Sequence, residues 1–494
     1  MPSPPRSLPS LQRALADPPL LEGVRDRSDL AGLARRAVRP IDLVGHSVAV
    51  VAPSASAIVS PFIMLRVVGP GAWLSAALGF GLAFVLTAVF SQFATRIAAP
   101  GSMYTWVTRA VGPLLGLLVA SCMLLGYGTL VAFGVSQSVR HGIDATASAG
   151  LGTPGPVIQL GAAAVVIGIC VLVSIRGVAL STRIAFSTEA VLAASLVLLC
   201  LVTIVRVGPA LSGILSLDGA SPWRILLGAS FIMSITVGFE SSAALAGEAE
   251  RTFLSVPRSL AATVAISAAL YALSFLATHA VLVNSDEHLR GPAQRWFPSS
   301  FDARHADALL SSFISVGYVA LALCALNALA RVVFSLAREG LLPRVLGKTH
   351  PRWHSPSTAL SRIAPLALIP AAIAILTGNE IGSITGKLLG AAVLVLAVAY
   401  ALVCLAVPFL LVRLGEWTWP PIVLAAVAML LTAGISTVDV IEDFERSAWL
   451  ACLLSCLALA AGASWYLWLR ISDVAVLRRM GLHDETIASD LLHR

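Results

Sequence analysis

Residues 225–247 constrain the fold more than any other stretch of the chain. They read ILLGASFIMSITVGFESSAALAG, which is long enough, at roughly 1.5 Å per residue, to cross a hydrocarbon core of about 30 Å. Glu240 is the one charged residue, and it follows Gly238 and Phe239. A lone carboxylate at membrane depth is costly unless it is paired, protonated or wetted. The stretch therefore predicts an interrupted helix with Glu240 facing a solute path; the alternative is a structural carboxylate bonded to a neighbouring helix.

The composition indicates that the rest of the chain also lies in a membrane. Hydrophobic residues make up 57% and charged residues only 12%, against about 25% charged in a soluble domain. The seven cysteines lie in apolar runs without disulfide or metal-ligand spacing. The membrane-facing parts show no nucleophile–base pair and no phosphate loop. We therefore expect no enzyme activity and no cofactor, and a net charge of +7 that belongs to membrane-flanking loops rather than to a nucleic-acid surface.

Hydropathy predicts an all-α integral membrane protein with twelve spans. Their expected bounds are 42–66, 71–97, 113–139, 157–175, 184–206, 225–247, 259–283, 307–337, 361–378, 388–412, 419–437 and 447–470. Most of the 33 Lys and Arg residues fall in the two tails and the even-numbered loops. Because positive loops stay inside, we expect a multi-pass protein of the plasma (inner) membrane with both termini cytoplasmic.

Span one carries a second interruption. Pro53 lies in mid-membrane, where it removes a backbone hydrogen bond and clashes with the preceding turn. Four small residues follow it, Ser54, Ala55, Ser56 and Ala57, and they would let a ligand approach the backbone. An unwound segment here would leave free N–H groups at the start of a half-helix, which suit a carboxylate. The alternative is an ordinary proline kink.

The two interruptions fall in spans one and six, which are corresponding positions in two five-helix halves. Paired Gly- or Pro-broken spans in corresponding positions mark a midplane binding site in inverted-repeat transporters. The predicted organisation is an N-terminal tail (1–41), two five-helix repeats (42–206 and 207–412), two additional helices (413–470) and a C-terminal tail (471–494). The fold class is thus a 5+5 inverted repeat with discontinuous helices 1 and 6.

Four blocks of sequence resemble the amino acid–polyamine–organocation family of permeases over about residues 40–470. They are GPG at 69–71 with PGSMY at 100–104 and AVGP at 110–113; GFESSAA at 238–244 with Glu248 and VPR at 256–258; Asn327 and Arg331 with AREGLLP at 337–343; and the break at 53–57. The resemblance implies transport of an amino acid or amine, proton-coupled or by exchange.

In that family the unwound part of span one holds the substrate carboxylate, which here implies Pro53, Ser54, Ala55, Ser56 and Ala57. Carbonyls of both breaks hold the amino group, which adds four residues of span six, namely Thr236, Val237, Gly238 and Phe239. Two departures stand out. The span-one run is Pro-Ser-Ala-Ser rather than glycine-rich, and Ser234 occupies the position of an aromatic gate in some relatives. We expect Phe239 or Tyr127 to close the site instead.

Glu189 is the second carboxylate near an apolar run. We expect span five to begin near Thr182, so that Glu189 lies about two turns deep. Some relatives place a lysine in this region, and a glutamate reverses that charge. We predict that Glu189 titrates during transport; the alternative is a carboxylate in a wet cytoplasmic funnel, paired with Arg183 or Arg331.

Arg331 is expected near the cytoplasmic end of span eight, as a structural anchor or, alternatively, as a substrate contact. Residues 319–326 of the same span lack Ser and Thr, which favours protons over sodium as the coupling ion. Coupling and gating are therefore assigned to Glu240, Glu189 and Arg331.

The sequence as a whole predicts a secondary transporter that works by alternating access within the lipid bilayer. Its expected partners are a small amino acid or amine and protons, with no nucleic acid; the oligomeric state stays open. The rival predictions are a polyamine or cationic amino-acid exchanger and a non-transporting nutrient sensor on the same scaffold.

Overall fold

A computed structural model describes residues 32–284, 296–297, 301–445 and 449–482, with the side chains of 443–445 left out. Most of the predicted N-terminal tail, much of the C-terminal tail and most of the segment 284–306 between the predicted spans seven and eight lie outside these described residues. The described residues form helices and turns without a β-strand, as expected of an all-α membrane protein.

Twelve helical segments are long and apolar enough to cross a membrane, which confirms the predicted count. They run Pro40–Val67, Ala72–Ala94, Pro113–Ser148, Pro156–Ile175, Val178–Val207, Pro222–Glu248, Thr252–Asn284, Ala303–Arg338, Ser357–Leu376, Ile381–Leu414, Trp419–Glu442 and Leu450–Ser472. We number them spans one to twelve. Among the described residues, two short α-helices, Met103–Ala110 and Val474–Arg479, and a 3₁₀ helix, Arg344–Gly347, lie outside the spans.

Span one is broken at Ala52, as Pro53 predicts. Its two halves are Pro40–Val51 and Pro53–Val67. The residue before a proline is pushed out of the right-handed helical region, and Ala52 adopts a left-handed conformation with φ 47° and ψ 54°. The second half of span one thus starts inside the protein, with its first N–H groups outside any helical ladder.

Span six is broken at Val237 and Gly238. The helix Pro222–Thr236 ends where Val237 becomes extended, with φ −57° and ψ 139°. Gly238 follows with φ 92°, a conformation that a glycine adopts without a Cβ clash. A 3₁₀ helix, Ser241–Glu248, completes the span. Both predicted discontinuities are therefore present.

The two described ends of the chain meet on one face of the bundle, as an even number of spans requires. The main chain of residues 37–38 pairs with the end of span six, where Ala37 N–H donates to the Glu248 carbonyl at 2.8 Å. On the same face, Leu482 of the C-terminal segment packs against Leu33 and Phe334. The last turn of span eight thus lies between the N-terminal and C-terminal segments.

Span five begins at Val178, earlier than the predicted Thr182. Glu189 consequently lies about three turns into the helix rather than two, and it is almost completely buried. The predicted start was wrong because the polar residues near Arg183 lower the local hydropathy, although they continue the same helix.

Candidate functional site

Glu240 is enclosed by two phenols from other spans. Tyr127 of span three donates to one carboxylate oxygen at 2.8 Å, and Tyr400 of span ten donates to the other at 2.5 Å. Tyr400 also accepts the Gly238 N–H at 3.2 Å. Because both oxygens are engaged and the side chain has no exposed surface, Glu240 cross-links spans three, six and ten directly beside the break.

Aromatic rings pack around this cross-link. Phe239 stacks on Phe90 with ring centroids 5.6 Å apart and meets Tyr400 edge-on at 5.8 Å. Both residues expected to close the site, Phe239 and Tyr127, are fully buried in this cluster. Ser234 donates its hydroxyl to a main-chain carbonyl one turn earlier, so its side chain is directed at its own helix.

Glu189 reaches across to the break in span one. One of its carboxylate oxygens accepts both the main-chain N–H of Ser54, at 3.0 Å, and the Ser54 hydroxyl, at 2.6 Å. The other oxygen, Oε2, is buried with no hydrogen-bond partner among the described residues. A carboxylate bound to the first turn of a half-helix is stabilised by the helix dipole and by an otherwise orphan N–H group.

The predicted partners of Glu189 pair elsewhere. Arg331 forms a buried ion pair with Glu248, and both side chains are 1% exposed. Arg183 lies 3.8 Å from Asp42 at the start of span one. The alternative in which Glu189 pairs with Arg183 or Arg331 is therefore wrong, because hydropathy gives the depth of a residue but not the direction in which it faces.

Arg331 ties the end of span six to span eight. Besides Glu248, it donates to the Asn327 carbonyl at 2.9 Å. The Glu248 carbonyl in turn accepts the N–H groups of Ala37, at 2.8 Å, and of Val38, at 3.0 Å. Spans six and eight and the segment before span one are thus fastened together at one end of the bundle.

A narrow cavity lies between the two breaks; the gaps between its atoms add up to about 190 Å³, but in this conformation it is too narrow to admit a water-sized sphere. Its lining comes from spans one, two, six and seven: Pro53, Ser56, Ala57, Phe80, Ile235, Thr236, Ser267 and Tyr271. The Tyr271 hydroxyl is buried with no partner among the described residues. Hydroxyl groups and rings therefore line this cavity, without a charged side chain.

The structure brings four of the predicted site residues to this cavity, namely Pro53, Ser56, Ala57 and Thr236. Ser54 faces span five instead, through its bonds to Glu189. The other predicted residues of the two breaks, Ala55, Val237, Gly238 and Phe239, are buried outside the cavity lining.

Sequence reasoning missed three residues that complete the site: Tyr400, Tyr271 and Ser47. Ser47 accepts the Ser242 N–H at 3.0 Å and so satisfies the start of the 3₁₀ segment. Tyr400 carried a usable signal, because it is the one tyrosine in the otherwise apolar run of span ten. Within the described residues, no group of three His, Cys, Asp or Glu side chains is placed to hold a metal ion.

The family model described as amino acid permease matches residues 43–438. The chain belongs to this family. The permease is 28% identical to a methylthioribose transporter of Bacillus subtilis over 295 residues, which cover 56% of this chain and 62% of that protein. It is 22% identical to the branched-chain amino acid permease BcaP of Lactococcus lactis over 322 residues, which cover 61% of this chain and 68% of the relative.

Solved structures extend the comparison to nearly the whole fold. A manganese transporter of Eremococcus coleocola superposes with a TM-score of 0.53 at 13% identity, and the match covers 89% of this chain and 94% of that one. At this identity the likeness concerns the fold alone. The chain is a multi-pass membrane protein of the amino acid permease family.

Proposed function

We propose that this permease moves an amino acid or a related amine across the plasma membrane by alternating access. The observation that carries the proposal is the cavity between two spans that are both broken at mid-length. Irregular backbone at membrane depth is tolerated where it is buried in protein or lines a cavity, and substrate sites of inverted-repeat transporters lie at such breaks.

The two ends of the bundle differ in a way that supports alternating access. On the side of the chain termini, the Arg331–Glu248 pair and the segment before span one close the bundle. Beside the second half of span one, two apolar pockets of about 120 and 400 Å³, both partly open to the surroundings, share Ile58 and Trp296. A bundle that is closed by hydrogen bonds and an ion pair at one end, and that has apolar pockets at the other, is consistent with a protein that opens to one side at a time.

Proton coupling would run through a buried carboxylate. Glu189 and Glu240 are both buried beside the breaks, and Glu189 has an oxygen without a partner among the described residues. Coupling requires only that the proton affinity of such a group differ between the two open states. We favour Glu189, since Glu240 already has a donor on each oxygen, and we keep exchange as the alternative to proton coupling.

A thioether sugar is the second candidate solute. One relative is named a methylthioribose transporter and another a branched-chain amino acid permease. The hydroxyl-lined cavity suits hydrogen bonding to sugar hydroxyls as well as to an amine. A polyamine exchanger is favoured less, because the cavity lining lacks a carboxylate and Glu189 beside it could pair with only one of several ammonium groups.

Counterflow in proteoliposomes tests the function. Vesicles loaded with an unlabelled solute should accumulate the same labelled solute only when the permease is present, whereas a non-transporting sensor would bind without accumulation. The panel should contain branched-chain amino acids, amines and methylthioribose. Absence of counterflow for the whole panel would contradict the proposal.

A cavity variant and a matched control make the test specific to the site. Ser56→Leu fills the small cavity and should reduce counterflow at least tenfold. Glu380→Ala, on an exposed residue between spans nine and ten, should leave it unchanged. Equal activity of the Ser56→Leu variant and the unmodified protein would place the solute elsewhere.

A further inference from the structure

Side chains of the protein already bind main-chain N–H groups at both breaks. Glu189 binds the Ser54 N–H, Tyr400 the Gly238 N–H, and Ser47 the Ser242 N–H. The Ser54 N–H belongs to the half-helix end that would hold a substrate carboxylate in a site formed by broken helices. The solute therefore meets a half-helix end at which this N–H group is bonded before it arrives.

At span one the occupying group is itself a carboxylate. Glu189 Oε1 binds the N–H and the hydroxyl of Ser54 at 3.0 and 2.6 Å, and the side chain is only 2% exposed. A second carboxylate brought to the same half-helix would have to displace Glu189 or lie beside it in a medium that screens charge poorly. Glu189 is held by span five, so displacing it requires a different side-chain rotamer or a movement of span five relative to span one.

The groups that remain free in this region match a different kind of solute. Glu189 Oε2 is a buried acceptor without a partner among the described residues, and the Tyr271 hydroxyl in the cavity is also unpartnered there. The cavity lining adds the hydroxyls of Ser56, Thr236 and Ser267. Each donates to a carbonyl of its own helix and so offers the solute an acceptor. The lining holds no cationic side chain that could pair with a carboxylate, and Arg331 is engaged with Glu248 and Asn327.

We propose that Glu189 determines specificity by filling the carboxylate position of the site, so that the transported solute lacks a carboxylate there and is held through hydroxyl or ammonium donors. This inference rests on the proposed transport function and narrows its substrate class. It replaces the sequence-based expectation that residues 53–57 hold a substrate carboxylate.

Competition between leucine and leucinol tests this directly. The two compounds share one side chain and one amino group, and leucinol has a hydroxymethyl group in place of the carboxylate. Against the labelled solute found by counterflow, leucinol should compete at least tenfold better than leucine. Isoamylamine and isoamyl alcohol, which carry one donor type each, then separate ammonium from hydroxyl recognition. Leucine that competes as well as leucinol would overturn the proposal.

Variants of Glu189 tie the preference to this residue. Glu189→Ala frees Ser54 and should reduce the leucinol preference at least fivefold, and Glu189→Gln, which keeps an acceptor but loses the charge, should reduce it in the same direction. Glu380→Ala serves as the control and should keep the full preference. A preference that survives both Glu189 variants would assign it to another residue and refute the role of Glu189.

Acetate provides a readout that does not depend on transport. In the detergent-solubilised Glu189→Ala variant, acetate can occupy the vacated half-helix end and should raise the melting temperature relative to chloride, because a ligand of the folded state stabilises it. The unmodified protein should show no such difference. If acetate changed the melting temperature of both proteins equally, the inference would be contradicted. If acetate stabilised only the Glu189→Ala variant but no counterflow were found, only the transport function would be refuted.

Discussion

Removing one partner of the Glu248–Arg331 pair should open the end of the bundle that it closes. Both side chains are 1% exposed, so Glu248→Gln leaves Arg331 charged and buried without its partner. Breaking a buried pair in this way costs about 3–5 kcal/mol. If the pair exists only in the closed state, this cost destabilises the closed state alone. Because about 1.4 kcal/mol changes an equilibrium constant tenfold, the ratio of closed to open molecules should fall by roughly two to four orders of magnitude.

Cysteine accessibility measures this shift. Ala246 lies two residues before Glu248 and is 3% exposed, so an Ala246→Cys residue in a background without other cysteines should react slowly with a membrane-impermeant thiol reagent added from the side of the chain termini. Glu248→Gln should raise the rate by at least tenfold. The double variant Glu248→Gln/Arg331→Met, which leaves no buried charge, should return the rate most of the way to its starting value.

Two outcomes would refute the role of the Glu248–Arg331 pair in closing this end of the bundle. Unchanged labelling with a lowered melting temperature would make the pair a static structural link that persists in every state. A double variant that labels as fast as Glu248→Gln would show that the uncompensated charge of Arg331 does not drive the opening.

Three further predictions follow from other contacts. Tyr400→Phe removes the hydrogen bonds to Glu240 and Gly238 and should lower the free energy of unfolding, measured by reversible denaturation in detergent, by about 1–3 kcal/mol. Tyr127→Phe removes one bond and should lower it by less. An equal or reversed order would contradict the description of Tyr400 as the stronger link to the span-six break. Glu189→Gln should flatten the pH profile of uptake, and a profile identical to that of the unmodified protein would end its assignment to proton coupling. Glu339 accepts the N–H groups of Gly481, at 3.1 Å, and of Leu482, at 2.9 Å. Glu339→Ala removes both acceptors and should speed the hydrogen exchange of residues 474–482, because the C-terminal segment then docks less tightly. Unchanged exchange in this variant would contradict the role of Glu339 in holding the segment.

The breaks could be predicted from the sequence because their causes are local. Pro53 has no N–H to donate and forces Ala52 out of the helix, and Gly238 adopts a positive φ that other residues avoid. Each effect acts within one or two residues of its source. The twelve spans follow from composition over about 20 residues, which is also local information.

The groups that fill the broken ends could not be predicted in this way. Glu189 is 135 positions from Ser54, and Tyr400 is 160 positions from Glu240. Such pairs depend on how each helix is rotated about its axis, and hydropathy gives depth without rotation. The alternative pairing of Glu189 with an arginine failed for this reason, because its actual partner, the main-chain N–H at the helix end of Ser54, carries no charge that the sequence would show.

The role of Glu240 was also ambiguous in the sequence. Its position after Gly238 fits a residue that faces a path as well as one that links helices. In the structure two tyrosines donate to it, and only one of them, Tyr127, belonged to the predicted site. A carboxylate with a donor on each oxygen stabilises the break; whether it also titrates during transport stays a prediction.

A cryo-EM map of the permease with the solute identified by counterflow would test the central claim most directly. The account predicts solute density between the breaks in spans one and six, against Ser56, Thr236 and Tyr271, with Glu189 still bonded to Ser54. Solute density outside the two breaks, or a solute carboxylate on the Ser54 N–H with Glu189 turned away, would contradict it.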